Sequence, residues 1–114
     1  MRNLRRAALQ FQAAYYIGSG LWPLASRRAF EAATGPKADW WLVQMVGLLA
    51  VSIGASIGLN EREKYPARSI RALAVLSALS FAAIDLGYVA RRRISPIYLG
   101  DAAVELALAA AITL

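Results

Sequence analysis

WWLVQMVGLLAVSIGASIGLN, residues 40–60, runs 21 residues without a charge and opens on two tryptophans. A helix of that length measures about 32 Å, enough to cross the hydrocarbon core of a bilayer. Trp40 and Trp41 stand where the aromatic belt of a membrane–water boundary belongs. Three more apolar stretches surround it, residues 7–26, 72–90 and 96–114. The first is diluted by Gln10, Gln12, Tyr15, Tyr16, Ser19 and Pro23. Polar connections separate the stretches. Residues 27–39 contain the turn signal Gly35-Pro36, Tyr65-Pro66 interrupts helix in 61–71, and Arg91-Arg92-Arg93 closes the third stretch. Ser95-Pro96 reads as a helix start. Arg27 to Thr34 is expected to form a short interfacial helix with Phe30 on its apolar side. The expected fold is an all-α membrane protein of one domain, a four-transmembrane-helix up-and-down bundle. In lipid, such helices satisfy every backbone polar group internally.

Composition agrees. The 114 residues are 59% hydrophobic with a mean hydropathy of +0.45, against about 45–50% apolar in soluble domains. Thirteen basic and seven acidic residues give a net charge of +6. The basic residues sit between apolar runs and are not interleaved with aromatics, so nucleic acid is not an expected partner. A signal peptide is the rival reading of the basic start and first stretch. That stretch is too polar for one, and Leu24-Ala25-Ser26 is a poor cleavage site. The chain has no Cys and no His, which excludes disulfides, thiolate chemistry, Fe–S clusters and His-ligated haem. No cofactor and no metal are expected.

With the N-terminus inside, the cytoplasmic segments hold Arg2, Arg5, Arg6, Arg62, Lys64, Arg68 and Arg71. The other side holds Arg27, Arg28, Lys37, Arg91, Arg92 and Arg93. Seven against six is almost no bias, and the N-terminal cluster tips the reading to N-inside in a bacterial inner membrane. The length is similar to that of small multidrug transporters, but the essential acid of their first span is missing here.

Three acids lie in the last two stretches: Asp85 in the third, Asp101 and Glu105 in the fourth. An acid at membrane depth is costly and marks function by default. Counting from the side shared by the first and third connections, Asp85 and Asp101 lie ~7 Å deep and Glu105 ~13 Å deep. Tyr98, Asp101 and Glu105 share one helical face at i, i+3, i+7, and Ser77, Phe81, Asp85, Tyr88 and Arg92 share another. Tyr15, Tyr16 and Ser19 belong to the same half. The expectation is an intramembrane acidic site in which Glu105 and Asp101 carry the charge and Asp85 assists. Tyr98, Tyr88 and Tyr16 would line it, and the ligand would be a cation, a proton or a lipophilic amine. Binding or transport is expected over turnover, because an acid cluster without a metal-ligand set or nucleophile defines no reaction.

The competing reading is structural: Asp85 pairs with Arg92, and Asp101 with an Arg across the bundle. Glu105 lies beyond easy Arg reach, so it is either protonated or faces a cavity. The loop Thr34–Asp39, followed by Trp41, reads as a turn with an interfacial anchor, or as a lid placing Lys37 or Asp39 over the site. Gly47, Gly54 and Gly58 fall on one face, and Gly54–Gly58 is a GxxxG spacing that admits a close helix. That helix is either another span of this chain or a partner: a second copy or another membrane protein. In the latter reading the chain is a structural or accessory subunit.

Tyr16, Gly20, Leu21-Trp22-Pro23, Phe30, Thr34-Gly35-Pro36-Lys37, Asp39 and Trp41-Leu42-Val43 together resemble a pattern, T-G-P-K-x-D-x-W-L-V and its surroundings. The pattern is similar to that of a family of small, uncharacterised bacterial four-span membrane proteins. It covers roughly residues 15–50, with Ile97-Tyr98-Leu99-Gly100-Asp101 and Glu105 belonging as well. The resemblance implies the fold class and no activity. A looser likeness is to the EXPERA group, compact helical bundles whose internal acids face a cavity accepting cationic amphiphiles. No motif matches closely, and the absence of His argues against isomerase chemistry.

Overall fold

The computed structural model describes residues 2–114. Met1, and the side chain of Arg2 counted above in the basic start, lie outside the described residues. Among those described, all regular structure is helical: α1 Arg2–Ala25, α2 Arg27–Thr34, α3 Trp40–Asn60, α4 Arg68–Ala90 and α5 Tyr98–Thr113.

α3 coincides with the 40–60 stretch. The other helices begin elsewhere than the apolar runs do. α1 starts at Arg2, not Ala7, because nothing in its basic first turns opposes helix. It runs through Pro23, which has no N–H to offer the Ser19 carbonyl. Ser26 then caps α2, its hydroxyl accepting from the Ala29 N–H at 3.1 Å. Gly35 ends α2 at φ 96°, a conformation costly for any other residue, and donates its N–H to the Glu31 carbonyl at 2.8 Å. α4 begins four residues before Ala72, where Asn60 Oδ1 accepts the Ala67 N–H at 2.8 Å and ties the connection to the end of α3. Pro96 falls in a turn ahead of α5, in which the Tyr98 N–H reaches the Ser95 carbonyl at 3.1 Å.

α1 is the central element. It packs along α3 on one side and α5 on another, while α4 lies mainly against α5. Gly20 meets Gly47 and Ala13 meets Gly54, so α1 and α3 are antiparallel. Arg5 Nε donates to the Ile112 carbonyl at 2.8 Å and Tyr16 meets Glu105, so α1 and α5 are antiparallel too. The core beside these contacts is Ala8, Leu9, Ala13, Ile57, Ala74, Leu108 and Ile112. The α1–α3 approach is set by glycine. A Cβ on Gly54 would stand 2.7 Å from the Ala13 carbonyl oxygen, and one on Gly47 would stand 2.6 Å from that of Gly20. Gly58 is looser, 3.5 Å from the Ala13 Cβ. The glycine face of α3 is therefore occupied by α1 of the same chain, with Gly20 as its counterpart.

Two helices, α3 and α4, are long and apolar enough to cross a membrane. α1 is too polar to pass that test, and α5, at 16 residues, is only about 24 Å long. The all-helical expectation holds, and two of the four expected spans meet the criterion. α3 and α4 turn small residues inward, Gly54 and Ala50 on one and Ala74, Ala78 and Ala82 on the other. Their large residues stay uncovered: Leu48 is 57% exposed and Leu76 62%. That is the inverse of a soluble helix.

Candidate functional site

A cavity of about 320 Å³ lies at the α2 end of the molecule. α1 contributes Tyr16 and Ser19, α4 Phe81 and Asp85, and α5 Tyr98, Asp101 and Glu105. Leu42, Val43 and Val46 of α3 form an apolar wall, and Phe30 and Lys37 lie at the α2 side. Six expected residues, Glu105, Asp101, Asp85, Tyr98, Tyr16 and Lys37, thus line one space.

The acids are held by tyrosines. The Tyr16 hydroxyl donates to Glu105 Oε1 at 2.7 Å, with both side chains buried. The Tyr15 hydroxyl donates to Asp101 Oδ1 at 2.5 Å. Asp101 shares the cavity wall with Asp85 and Glu105. Asp85 Oδ2 is buried without a donor.

Among the described residues no Arg or Lys forms an ion pair with these acids. The two side-chain ion pairs among the described residues are Arg27–Glu31 at 2.9 Å and Arg71–Glu61 at 3.2 Å, neither in the acid cluster. The expected Asp85–Arg92 pair is not formed. Arg92 sits just past the end of α4 at φ 57°, and the Arg93 N–H returns to the Tyr88 carbonyl at 2.9 Å, which closes the helix. Among the described residues no group of three or more His, Cys, Asp or Glu side chains is arranged to hold a metal ion.

Three expected residues are not part of the lining. Tyr88 is 38% exposed, with the Arg91 guanidinium 5.5 Å from its ring centroid. Asp39 precedes α3 without a side-chain cap bond, and Trp41 is 60% exposed. Helical spacing placed Tyr88 with Asp85, but the cavity lies on the Phe81 side of that acid, one turn back. The Tyr15–Asp101 bond and the Phe30 contribution carried no sequence signal beyond their depth.

The loop over the cavity is pinned by Glu31. Its carboxylate accepts the Lys37 N–H at 2.6 Å and Arg27 Nε at 2.9 Å. The Lys37 N–H first, then the Arg27 guanidinium, hold this carboxyl below its ordinary pKa. Lys37 Nζ donates to the Thr34 carbonyl at 2.9 Å and stands 5.2 Å from the Tyr98 ring centroid. Phe30 packs edge-on between Trp22 and Trp40, at 5.2 Å and 6.0 Å. At the other end the interior closes. Gln12, wholly buried, donates to the Ala74 carbonyl at 2.9 Å, and beyond it lie Leu9, Ile57 and Leu108. Compared with protein-family models, curated proteins and solved structures, the chain returned no match, so the reading of this site rests on its own geometry.

Proposed function

We propose that this chain is an integral membrane protein that binds an organic cation, a lipophilic amine, in its acidic cavity. The observation that carries the reading is the meeting of Asp85, Asp101 and Glu105 in one cavity with no Arg or Lys among the described residues paired to any of them. Buried acids that serve as ion-pair glue have a cationic partner, whereas Glu105 and Asp101 are held by tyrosine hydroxyls. An ammonium group entering among them meets three carboxyls, and Phe81 adds an aromatic ring to the same wall. The apolar α3 wall suits the hydrocarbon part of the same ligand. Leu42 and Val46 in that wall are themselves 43% and 50% exposed, which favours entry from the lipid side. The packed interior beyond Gln12 favours binding over passage through the molecule. In this reading all four long helices cross the bilayer, α1 shielding its polar groups against α3, α4 and α5. The reading as an accessory subunit loses its main support, since α1 already covers the glycine face.

The test has two steps. Resistance to alkaline carbonate extraction establishes the membrane reading. Equilibrium dialysis of N,N-dimethylphenethylamine, with neutral phenethyl alcohol as comparator, then tests the site in protein-containing and empty nanodiscs. Protein-dependent uptake of the amine alone, cut at least about tenfold by Glu105→Gln, is the expected result. Equal uptake by the variant sinks the proposal.

A further inference from the structure

We propose that the opposite end of the molecule carries a second binding site, a cleft for the phosphate head group of an anionic membrane lipid. The cleft, about 560 Å³, lies between the first turns of α1, the connection 61–67 and the start of α4. Arg5, Arg6, Arg62, Lys64 and Arg71 line it, against Glu61 and Glu63, which leaves a local charge of +3.

The partners of these groups decide which are free. Glu61 is buried and paired with Arg71, so that acid is neutralised within the wall. Arg5 is turned onto backbone, its guanidinium reaching the Ile112 carbonyl at 2.8 Å and that of Leu114 at 3.1 Å. Arg6 and Arg62 have no ion pair among the described residues, and Lys64, also without an acidic partner there, stands 5.6 Å from the ring centroid of the exposed Tyr65. They come from two separate segments and converge on one concavity. Guanidinium forks suit phosphate oxygens better than any other common anion on a membrane. At the acidic-cavity end the chain also carries bases, but there Arg27 is held by Glu31 and Trp40, Arg91 lies over Tyr88, and Arg28, Arg92 and Arg93 are not part of the cavity lining.

A lipid fits better than free phosphate because the cleft adjoins uncovered hydrocarbon. Leu4, beside Arg5, is 46% exposed, and Leu59, two residues before Glu61, is 65% exposed. In the membrane reading, on which this inference rests, the α3–α4 connection stands at head-group level. Tyr65, 82% exposed, serves there as an interfacial anchor.

The experiment uses the full chain in a mild non-ionic detergent, titrated with phosphatidylglycerol, phosphatidylcholine or inorganic phosphate, and reads retained ligand by native mass spectrometry. Wild type should retain phosphatidylglycerol over phosphatidylcholine, with a preference that falls as salt rises. Arg62→Gln with Lys64→Gln should cut that retention about 25-fold, about fivefold per charge. An unchanged unfolding midpoint shows that the double variant is folded. Equal retention of the two lipids, or a double variant as retentive as wild type, overturns the site. Inorganic phosphate held as tightly as phosphatidylglycerol overturns the choice of a lipid. Failure of carbonate resistance removes the membrane reading itself, a result separate from all of these.

Discussion

Tyr16 donates its hydroxyl to Glu105 across 2.7 Å, at a point where neither side chain reaches solvent. The bond joins the middle of the first helix to the middle of the last and gives the deepest acid a fixed donor. Tyr15 does the same for Asp101 at the more open part of the cavity.

Removing these hydroxyls should therefore have unequal effects. Tyr16→Phe leaves a buried carboxyl without its donor and should cost about 1–3 kcal/mol. Tyr15→Phe, at a half-buried site, should cost about 0.5–1.5 kcal/mol. Thermal unfolding in detergent checks the order, and a Tyr16→Phe midpoint at or above that of Tyr15→Phe contradicts it.

The glycines make a prediction with two signs. Gly54→Ala drives a methyl to 2.7 Å from the Ala13 carbonyl oxygen and must part α1 from α3. A loss of about 1–3 kcal/mol is expected. A Cβ on Gly18 or Gly87 would meet nothing within 4 Å, and both sit inside helices. Alanine at either should stabilise by about 0.5–1 kcal/mol. Unfolding midpoints that move in one direction for all three variants would refute the packing described.

Glu31 gives a pH dependence whose sign is fixed. Its folded pKa is lowered from 4.5 by the Lys37 N–H and Arg27, so its contribution is fully present above that ordinary value. It fades as pH falls through the lowered folded pKa, releasing the loop at Lys37. The Arg27–Glu31 pair lies at the surface, so the effect is small and local. Fluorescence of Trp22 and Trp40, which flank Phe30, should change in that acid range, and Glu31→Gln should abolish the change.

Lys37 stands in the wall of the cavity with its charge near Tyr98. A cationic ligand meets that charge as repulsion. Lys37→Met should therefore tighten binding of N,N-dimethylphenethylamine by about threefold, with less effect at high salt. Weaker binding by the variant means that Lys37 organises the site and does not merely oppose the ligand.

The residues that the sequence placed well and those it placed badly differ in kind. Trp40–Asn60 was legible to the residue because an uncharged run bounded by Asp39 and Glu61 has clear edges. Asp101 and Glu105 fell on one face because helical spacing alone puts them there. What spacing cannot supply is the neighbour. Gly20 against Gly47 and Tyr15 against Asp101 are pairings across helices, fixed by how far each helix slides along the next. Tyr88 shows the limit from the other side: it shares a helix with Asp85 and points to Arg91 instead. The first stretch is diluted by polar residues in the sequence itself, and α5 is shorter than the apolar run that contains it, so neither helix passes as a span by length and composition. α1 buries Gln12 and Tyr16 against neighbours, a fact invisible in a hydropathy profile.

The bonds that close the molecule join partners far apart in the chain: Tyr16 with Glu105 spans 89 positions, and Arg5 with Ile112 spans 107. Contacts of such separation form late, after the loops between them have been closed. The acidic cavity therefore needs both ends of the chain. The α1 tyrosines find their carboxyl partners only on α5, so the site exists only where the C-terminal helix is docked. Cutting the chain at Tyr65 should leave two pieces that bind nothing apart and recover the cavity only on reassociation.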